Sequence, residues 1–264
     1  MKTNLWFLFL SVVVTVFCSS LIYSSEVVFP AGQIEDGKCS FFILSGNSSD
    51  KLNFSVASKD EIKVGNNSYF SEVTNDFEGD GRGNSVLAKL AFNPGGGLYY
   101  WFKAGIGSYD LSLPSSTVKN KLSGQDKGWI CGLGARKLLF PDTIVTPAIA
   151  VDVGISYMSY GLDSFSFGGS APVSVSDKLE ITEAQADVVI SKIINSIEPY
   201  GGLKVYRKSA VLSDRASFVN VSGIKDSAGL FFGVKFSFCK HEALVVEGNV
   251  GGDTDFTVGL NIGF

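Results

Sequence analysis

Apolar and polar positions alternate one for one through long stretches of the chain. Val86, Ala88, Leu90 and Phe92 alternate with Leu87, Lys89, Ala91 and Asn93. After Pro94 to Gly97, Leu98, Tyr100, Phe102, Ala104 and Ile106 alternate with Tyr99, Trp101, Lys103, Gly105 and Gly107. Trp129, Cys131, Leu133 and Ala135 are set against Gly132, Gly134 and Arg136. Val145, Pro147, Ile149, Val151, Val153 and Ile155 are set against Ala148, Ala150, Asp152, Gly154 and Ser156, with Pro147 a blemish in a strand. Leu230, Phe232, Val234, Phe236 and Phe238 oppose Phe231, Gly233, Lys235 and Ser237, and Leu244, Val246 and Val250 follow. Successive side chains of a strand point to opposite faces, so each stretch predicts a strand with one apolar face.

Two stretches are less clear. Leu179 to Ile194 reads as an amphipathic helix or as a strand with Ala184, Ala186, Val188 and Ile190 on one face against Glu183, Gln185, Asp187 and Val189 on the other. The strand is chosen, because the next segment, EPYGGLKVYR, needs a neighbour to pair with. The first strand lies within Gly37 to Val56, where GKCSFFILSG and KLNFSV are both candidates.

Connections alternate in length. Tight links at 94–97, 141–143, 193–197 and 240–242 interleave with polar, turn-rich stretches at 57–84, 110–127, 159–177 and 209–227, which are expected to be long exposed loops. The hairpin at Gly251 to Asp253 alone puts a short loop on the long-loop side. Short turns at one end and long loops at the other are the asymmetry of a membrane barrel, and about ten strands bring both termini to the short-turn end.

The last nine residues are the most regular. Phe256, Val258, Leu260, Ile262 and Phe264 alternate with Thr257, Gly259, Asn261 and Gly263. In this stretch the chain resembles bacterial outer-membrane β-barrel proteins, whose last strand alternates in this way and ends in Phe. The resemblance implies an all-β, antiparallel up-and-down transmembrane barrel in the bacterial outer membrane. It also implies that Phe256, Val258, Leu260, Ile262 and Phe264 form the signal read by the barrel assembly machinery. The partners implied are that machinery and the outer-membrane lipids; oligomeric state is left open.

Composition agrees with this picture. Beyond the first residues no apolar run reaches helix-spanning length, yet 45% of residues are hydrophobic and 30 are Gly. Residues 1–24 read as a signal peptide, with Lys2 followed by the apolar run Leu5 to Phe17 and small residues after it. An uncleaved anchor and a lipoprotein modified at Cys18 are the alternatives; the run is short for the first and Phe17 too large for the second. Residues 25–264 then form one barrel domain. Loss of Lys2 takes the formal charge from −4 to −5, and without a basic run nucleic acid is no expected partner. Cys39, Cys131 and Cys239 are too few and too widely spaced for a disulfide framework or a metal site.

Candidate chemistry is confined to the face away from lipid. Lys89, Lys103, Arg136, Lys204 and Lys235 share it with Asp152, Glu183, Asp187 and Glu247. These charges line a pore or, the favoured reading, pair with one another and fill a narrow lumen. Tyr99, Tyr100, Trp101, Trp129, Tyr157, Tyr160, Tyr200 and Tyr206 fall near predicted strand ends and are candidates for interfacial girdles, with inward core aromatics the alternative. Some outer-membrane proteases and lipid-cleaving barrels use a histidine near the outer rim; the lone histidine, His241, falls in a predicted periplasmic turn. No catalytic or phosphate-binding motif occurs, so neither enzyme activity nor a cofactor is expected. Gly132, Gly134 and the Gly95 to Gly97 run are assigned to close packing and turn geometry. The resulting expectation is a structural or passive small-pore barrel. A surface-interaction barrel acting through its loops and a secreted soluble β-sandwich are the alternatives.

Overall fold

A computed structural model describes residues 30–31, 37–64, 67–113, 120–124, 128–167, 170–214 and 219–264. The signal peptide assigned to residues 1–24 lies outside the described residues. The strands are β1 (Cys39–Val64), β2 (Asn67–Gly95), β3 (Leu98–Leu113), β4 (Asn120–Ser123), β5 (Gly128–Phe140) and β6 (Ala148–Phe167). They continue with β7 (Val173–Ser191), β8 (Ile197–Asp214), β9 (Val219–Ser237), β10 (Glu242–Val250) and β11 (Thr254–Gly263).

Every pairing is antiparallel, and all strands but β4 close a ring of 10. The seam joins β1 to β11, with Ile43 opposite Leu260 and Ser40 opposite Gly263. The amide of Phe264 donates to the Cys39 carbonyl at 2.9 Å, so the last residue is tied to the first strand. Closure pairs both edges of every strand along the belt, the condition for placing strands in a bilayer.

The outward side chains form one apolar belt. On β3 it runs from Leu98 to Ile106 and gives way to Ser108; on β2 it runs from Phe92 to Val86 and gives way to Asn84. Asn84 and Ser108 stand opposite each other and hydrogen bond at 3.0 Å, marking the upper edge. Nine residues of tilted strand is the length a bilayer core of about 30 Å calls for. Phe256, Val258, Leu260, Ile262 and Phe264 all lie on this face, while Asn261 and Thr257 are buried inside.

The four expected long loops are for the most part strand, which corrects the sequence reading. β1 and β2 pair without interruption from Cys39–Phe92 to Val64–Asn67, so the stretch 57–84 is a β-hairpin and the two candidate first strands are one. β3 runs to Leu113 and β4 occupies 120–123 within the second stretch; β6 and β7 pair as far as Phe165–Val173, and β8 and β9 as far as Asp214–Val219. Above the belt the outer face meets water instead of lipid. The apolar/polar contrast that marks a membrane strand therefore fades there, although the hydrogen-bond ladder continues.

The short turns keep their places, with one shift. Val145 and Pro147, expected in a strand, belong to a turn over 141–147; β6 begins at Ala148, which removes the proline blemish. Gly95, Gly96 and Gly97 all have positive φ (120°, 67° and 69°), a backbone that side-chain-bearing residues rarely adopt, and this turns β2 tightly into β3.

The ring narrows towards its long-hairpin end. The β10–β11 hairpin stops at Val250 and Thr254, and above it β1 pairs directly with β9 at Phe54–Gly223 and Ser55–Ser222. β5 stops at Gly128, and the short β4 takes its place between β3 and β6. At that level the wall is made of β1, β2, β3, β4, β6, β7, β8 and β9. Eight strands enclose a bore just wide enough for side chains to fill. Leu52, Phe54, Leu111, Leu122, Leu162 and Leu179 fill it, each at most 5% exposed.

Candidate functional site

Among the described residues, the lumen is where the barrel gathers polar side chains away from solvent. All nine charged residues predicted to face inward do so: Lys89, Lys103, Arg136, Asp152, Glu183, Asp187, Lys204 and Glu247 are buried, and Lys235 is half-buried near the short-turn end. The cause is strand parity: each sits on the face opposite the apolar belt. Register then sets them side by side. Arg136, Asp152, Asp187 and Lys204 are successive partners across β5, β6, β7 and β8.

They fall into separate groups. In the short-turn half, Arg136 donates from Nε to Asp152 Oδ2 at 2.9 Å, with Nη2 2.8 Å from the same oxygen. Trp101 donates its indole N–H to Asp152 Oδ1 at 2.8 Å. The ammonium groups of Lys89 and Lys103 lie 4.1 and 5.9 Å from the Trp101 ring centroid. Gln185 donates to Asp187 at 2.9 Å, Tyr200 to Glu247 at 2.9 Å, and Lys235 to Glu198 at 3.2 Å.

The second group lies higher and centres on a lysine that the sequence reading missed. Lys208 Nζ is 3.1 Å from Asp50, 3.3 Å from Glu183 and 2.5 Å from Asp253. Tyr109 donates to the other Asp50 oxygen at 2.6 Å, and Lys225 reaches the other Asp253 oxygen at 2.6 Å. Lys204 stands 3.8 Å from Glu183. Lys208 was findable, since it continues the inward parity of Lys204 and Tyr206. Asp50 lay between the two candidate first strands and Asp253 in a turn, where parity says nothing.

Five of the eight girdle candidates turn inward. Tyr99, Trp101, Tyr160, Tyr200 and Tyr206 are buried in the lumen; Tyr100, Trp129 and Tyr157 face out. Trp129 and Tyr157 pack with centroids 5.1 Å apart at the upper edge of the belt, and Tyr157 donates to Glu180, which also holds Lys178 at 2.7 Å. Position near a strand end did not separate the two sets, because parity governs direction.

Inward glycines make room for these rings. A Cβ on Gly154 would meet Trp101 at 2.4 Å, and one on Gly233 would meet Tyr200 at 2.4 Å. Flat aromatic rings laid on glycine positions fill a bore too narrow for side chains from every strand.

His241 is exposed in the turn between β9 and β10, and among the described residues no cluster of His, Cys, Asp or Glu could hold a metal ion. Cys39 and Cys131 are half-buried and Cys239 exposed; none is disulfide-bonded.

An apolar belt, a closed antiparallel ring and a polar packed lumen define a transmembrane β-barrel. The fold is that of bacterial outer-membrane barrels. It is similar to the outer membrane protease OmpT from Escherichia coli, with a TM-score of 0.52 and 11% identity over 91% of this chain and 100% of that one. Looser matches include the transport unit of the autotransporter AIDA-I from Escherichia coli (TM-score 0.43, 12% identity, 92% and 94% covered). Another is the outer membrane protein OprG from Pseudomonas aeruginosa (TM-score 0.40, 12% identity, 88% and 99% covered). No protein-family model matches the chain, and comparison with curated proteins finds no match. Such identities carry the fold and none of the activities. The bacterial outer membrane is the location that belongs to this fold.

Proposed function

We propose that this protein is a structural outer-membrane barrel with a filled, non-conducting lumen and no covalent chemistry. One observation carries the reading: the wall narrows to eight strands towards the outside, and Leu52, Phe54, Leu111, Leu122, Leu162 and Leu179 pack into the bore there. An apolar constriction of that kind resists wetting and ion passage. Below it, the paired charges of the lumen serve to hold strands in register. This favours the structural form of the expectation over a passive small pore. Reconstitution in planar bilayers tests it: the expected record has no steady single-channel steps, and reproducible conductance of uniform size would overturn the proposal.

A second role is supported by the hairpins. The β1–β2 ladder continues far above the belt, to Val64–Asn67, and at about 3.3 Å per residue this raises a large ordered surface beyond the membrane. We infer a surface-interaction role for that region. Excising residues 57–74 should leave a heat-modifiable barrel while abolishing binding to any partner captured by the intact protein.

A further inference from the structure

The most exposed large apolar side chains among the described residues lie neither in the belt nor in the hairpins. Ile144 is 99% exposed and Val145 86%, against at most 63% for any other. Both stand at the tip of the β5–β6 turn. Ile193 and Ile194 are exposed in the neighbouring β7–β8 turn, with Phe140 and Ile197 beside them. The two turns are locked together. Lys192 donates to Asp142 at 2.9 Å and to the carbonyls of Thr143 and Thr146, and the Ile193 amide donates to Asp142 at 3.3 Å. Within the tip, the Thr143 amide donates to the Thr146 carbonyl at 3.0 Å, and Thr143 Oγ1 accepts from the amides of Val145 and Thr146 at 3.3 and 3.0 Å. The two threonine hydroxyls hydrogen bond to each other at 2.7 Å. In the second turn Ile194 and Ile197 exchange amide hydrogen bonds at 2.8 and 3.1 Å. A turn in water can leave its polar groups to the solvent; a turn entering lipid has to satisfy them within the protein.

We propose that the β5–β6 and β7–β8 turns form an apolar foot that binds the phospholipid headgroup and glycerol layer at the short-turn end of the barrel. The patch continues the belt without a break: Phe140 pairs with Ile149, and Ile149 with Ile190 on the lipid-facing side of β7. The layer just beyond the hydrocarbon core is about 5–7 Å deep on each side, which is where residues immediately past the belt arrive. Charge selects the same occupant. Residues 138–147 and 193–197 hold one ionised side chain, Asp142, and Lys192 neutralises it, so the surface offers a soluble partner nothing to pair with. The β9–β10 turn, with Lys240 and Glu242, is of the opposite character. The foot is therefore one-sided, and an interfacial anchor of that kind fixes the depth and tilt of the barrel. It depends neither on the state of the lumen nor on the hairpins.

A fluorophore at the tip tests the foot. With Cys18, Cys39, Cys131 and Cys239 replaced by Ser, Ile144→Cys is labelled with nitrobenzoxadiazole and refolded into phosphatidylcholine vesicles. Ser170→Cys, at an exposed position between β6 and β7, is the aqueous reference. Symmetric vesicles make the outcome independent of which way the barrel faces. The label at 144 is expected to emit to the blue of the reference and to lose most of the reference's quenching by aqueous iodide. A lipid nitroxide near the carbonyl end of the acyl chain should quench it strongly, and one at the chain terminus less. Val145→Cys repeats the test should Ile144→Cys fail to give a heat-modifiable barrel. Iodide quenching equal to that of the reference would overturn the proposal. So would protection from iodide without quenching by lipid nitroxide: protection lost on dilution into excess lipid would mark a second copy as the occupant, and protection retained would mark another part of this chain.

Discussion

Trp101 lies where a side chain on Gly134 would stand: a Cβ built on that glycine comes within 2.3 Å of the indole ring. The indole N–H then reaches Asp152 on the next strand, so ring and hydrogen bond together span β3, β5 and β6. Gly134→Val should therefore overpack the lumen and cost about 1–3 kcal/mol in urea-induced unfolding from detergent. Adding Trp101→Ala should relieve the part of the clash that involves the indole, leaving the Val153 carbonyl 2.3 Å from the new Cβ, and so give a favourable but incomplete coupling in the double-mutant cycle. Additive losses would mean that the two do not share the space.

The lysine at the centre of the upper cluster should matter far more than a surface one. Lys208→Met leaves Asp50, Glu183 and Asp253 buried with their common partner gone, and a loss of about 3–5 kcal/mol is expected. Arg207→Met removes an exposed partner 3.5 Å from Asp226 and should change stability by less than about 1 kcal/mol. Parallel unfolding titrations of the two variants check the ratio.

The closing strand tests the two faces against each other. Leu260→Arg puts a cation in lipid, at a cost of about 2–4 kcal/mol near the midplane. Asn261→Arg points into the short-turn half of the lumen and should cost less. Deleting Phe264, whose amide ties β11 to Cys39, should lower the yield of assembled barrel far more than deleting Ser170, which is exposed between β6 and β7. Heat-modifiability on gels reports assembly, and a larger loss from Asn261→Arg would reverse the face assignment.

Sidedness has a direct check in a native thiol. Cys239 is exposed in the β9–β10 turn. An impermeant maleimide should leave it unlabelled on intact cells and label it after the outer membrane is permeabilised. Ser170→Cys should label on intact cells in either case. The opposite pattern would invert the barrel.

Two of the short turns, β5–β6 and β7–β8, are joined by an acid-sensitive clasp. Lys192 donates to Asp142 at 2.9 Å, and the Ile193 amide donates to the other carboxylate oxygen at 3.3 Å. The hydrogen bond from Lys192, with help from backbone donors, holds the Asp142 carboxyl below its ordinary value. A carboxyl lowered on folding stabilises the folded form above its unfolded value of about 3.8 and ceases to do so as pH falls through the lowered one. Hydrogen exchange of the Ile193 amide should therefore be slow down to the ordinary carboxylate range and lose protection in stronger acid. Asp142→Asn should remove the acid step.

The strand faces were legible before any coordinates. Period-two alternation placed all nine lumen charges and all five outward residues of the last strand, because a strand held between lipid and lumen has no other way to satisfy both. For 179–194 alternation alone left helix and strand open; the need of the next segment for a neighbour decided for the strand, and Ala184, Ala186, Val188 and Ile190 do share its outward face. The reading stopped where the environment stopped contrasting. Past Asn84 and Ser108 both surroundings tolerate polar residues, so hairpin strands looked like loops, and the strand that joins Phe42 to Phe54 looked like two fragments.

Only the tertiary structure decided what the lumen is. The direct pairing of Phe54 with Gly223 over the short β10–β11 hairpin narrows the ring, and no local pattern encodes it, since it follows from relative strand lengths and stagger around a closed circle. The same is true of Lys208, whose three carboxylates come from β1, β7 and the β10–β11 turn, and of Trp101, whose seat is made by glycines on two other strands. Alternation along one strand says which way a side chain points; what it meets there is set by register between strands distant in sequence.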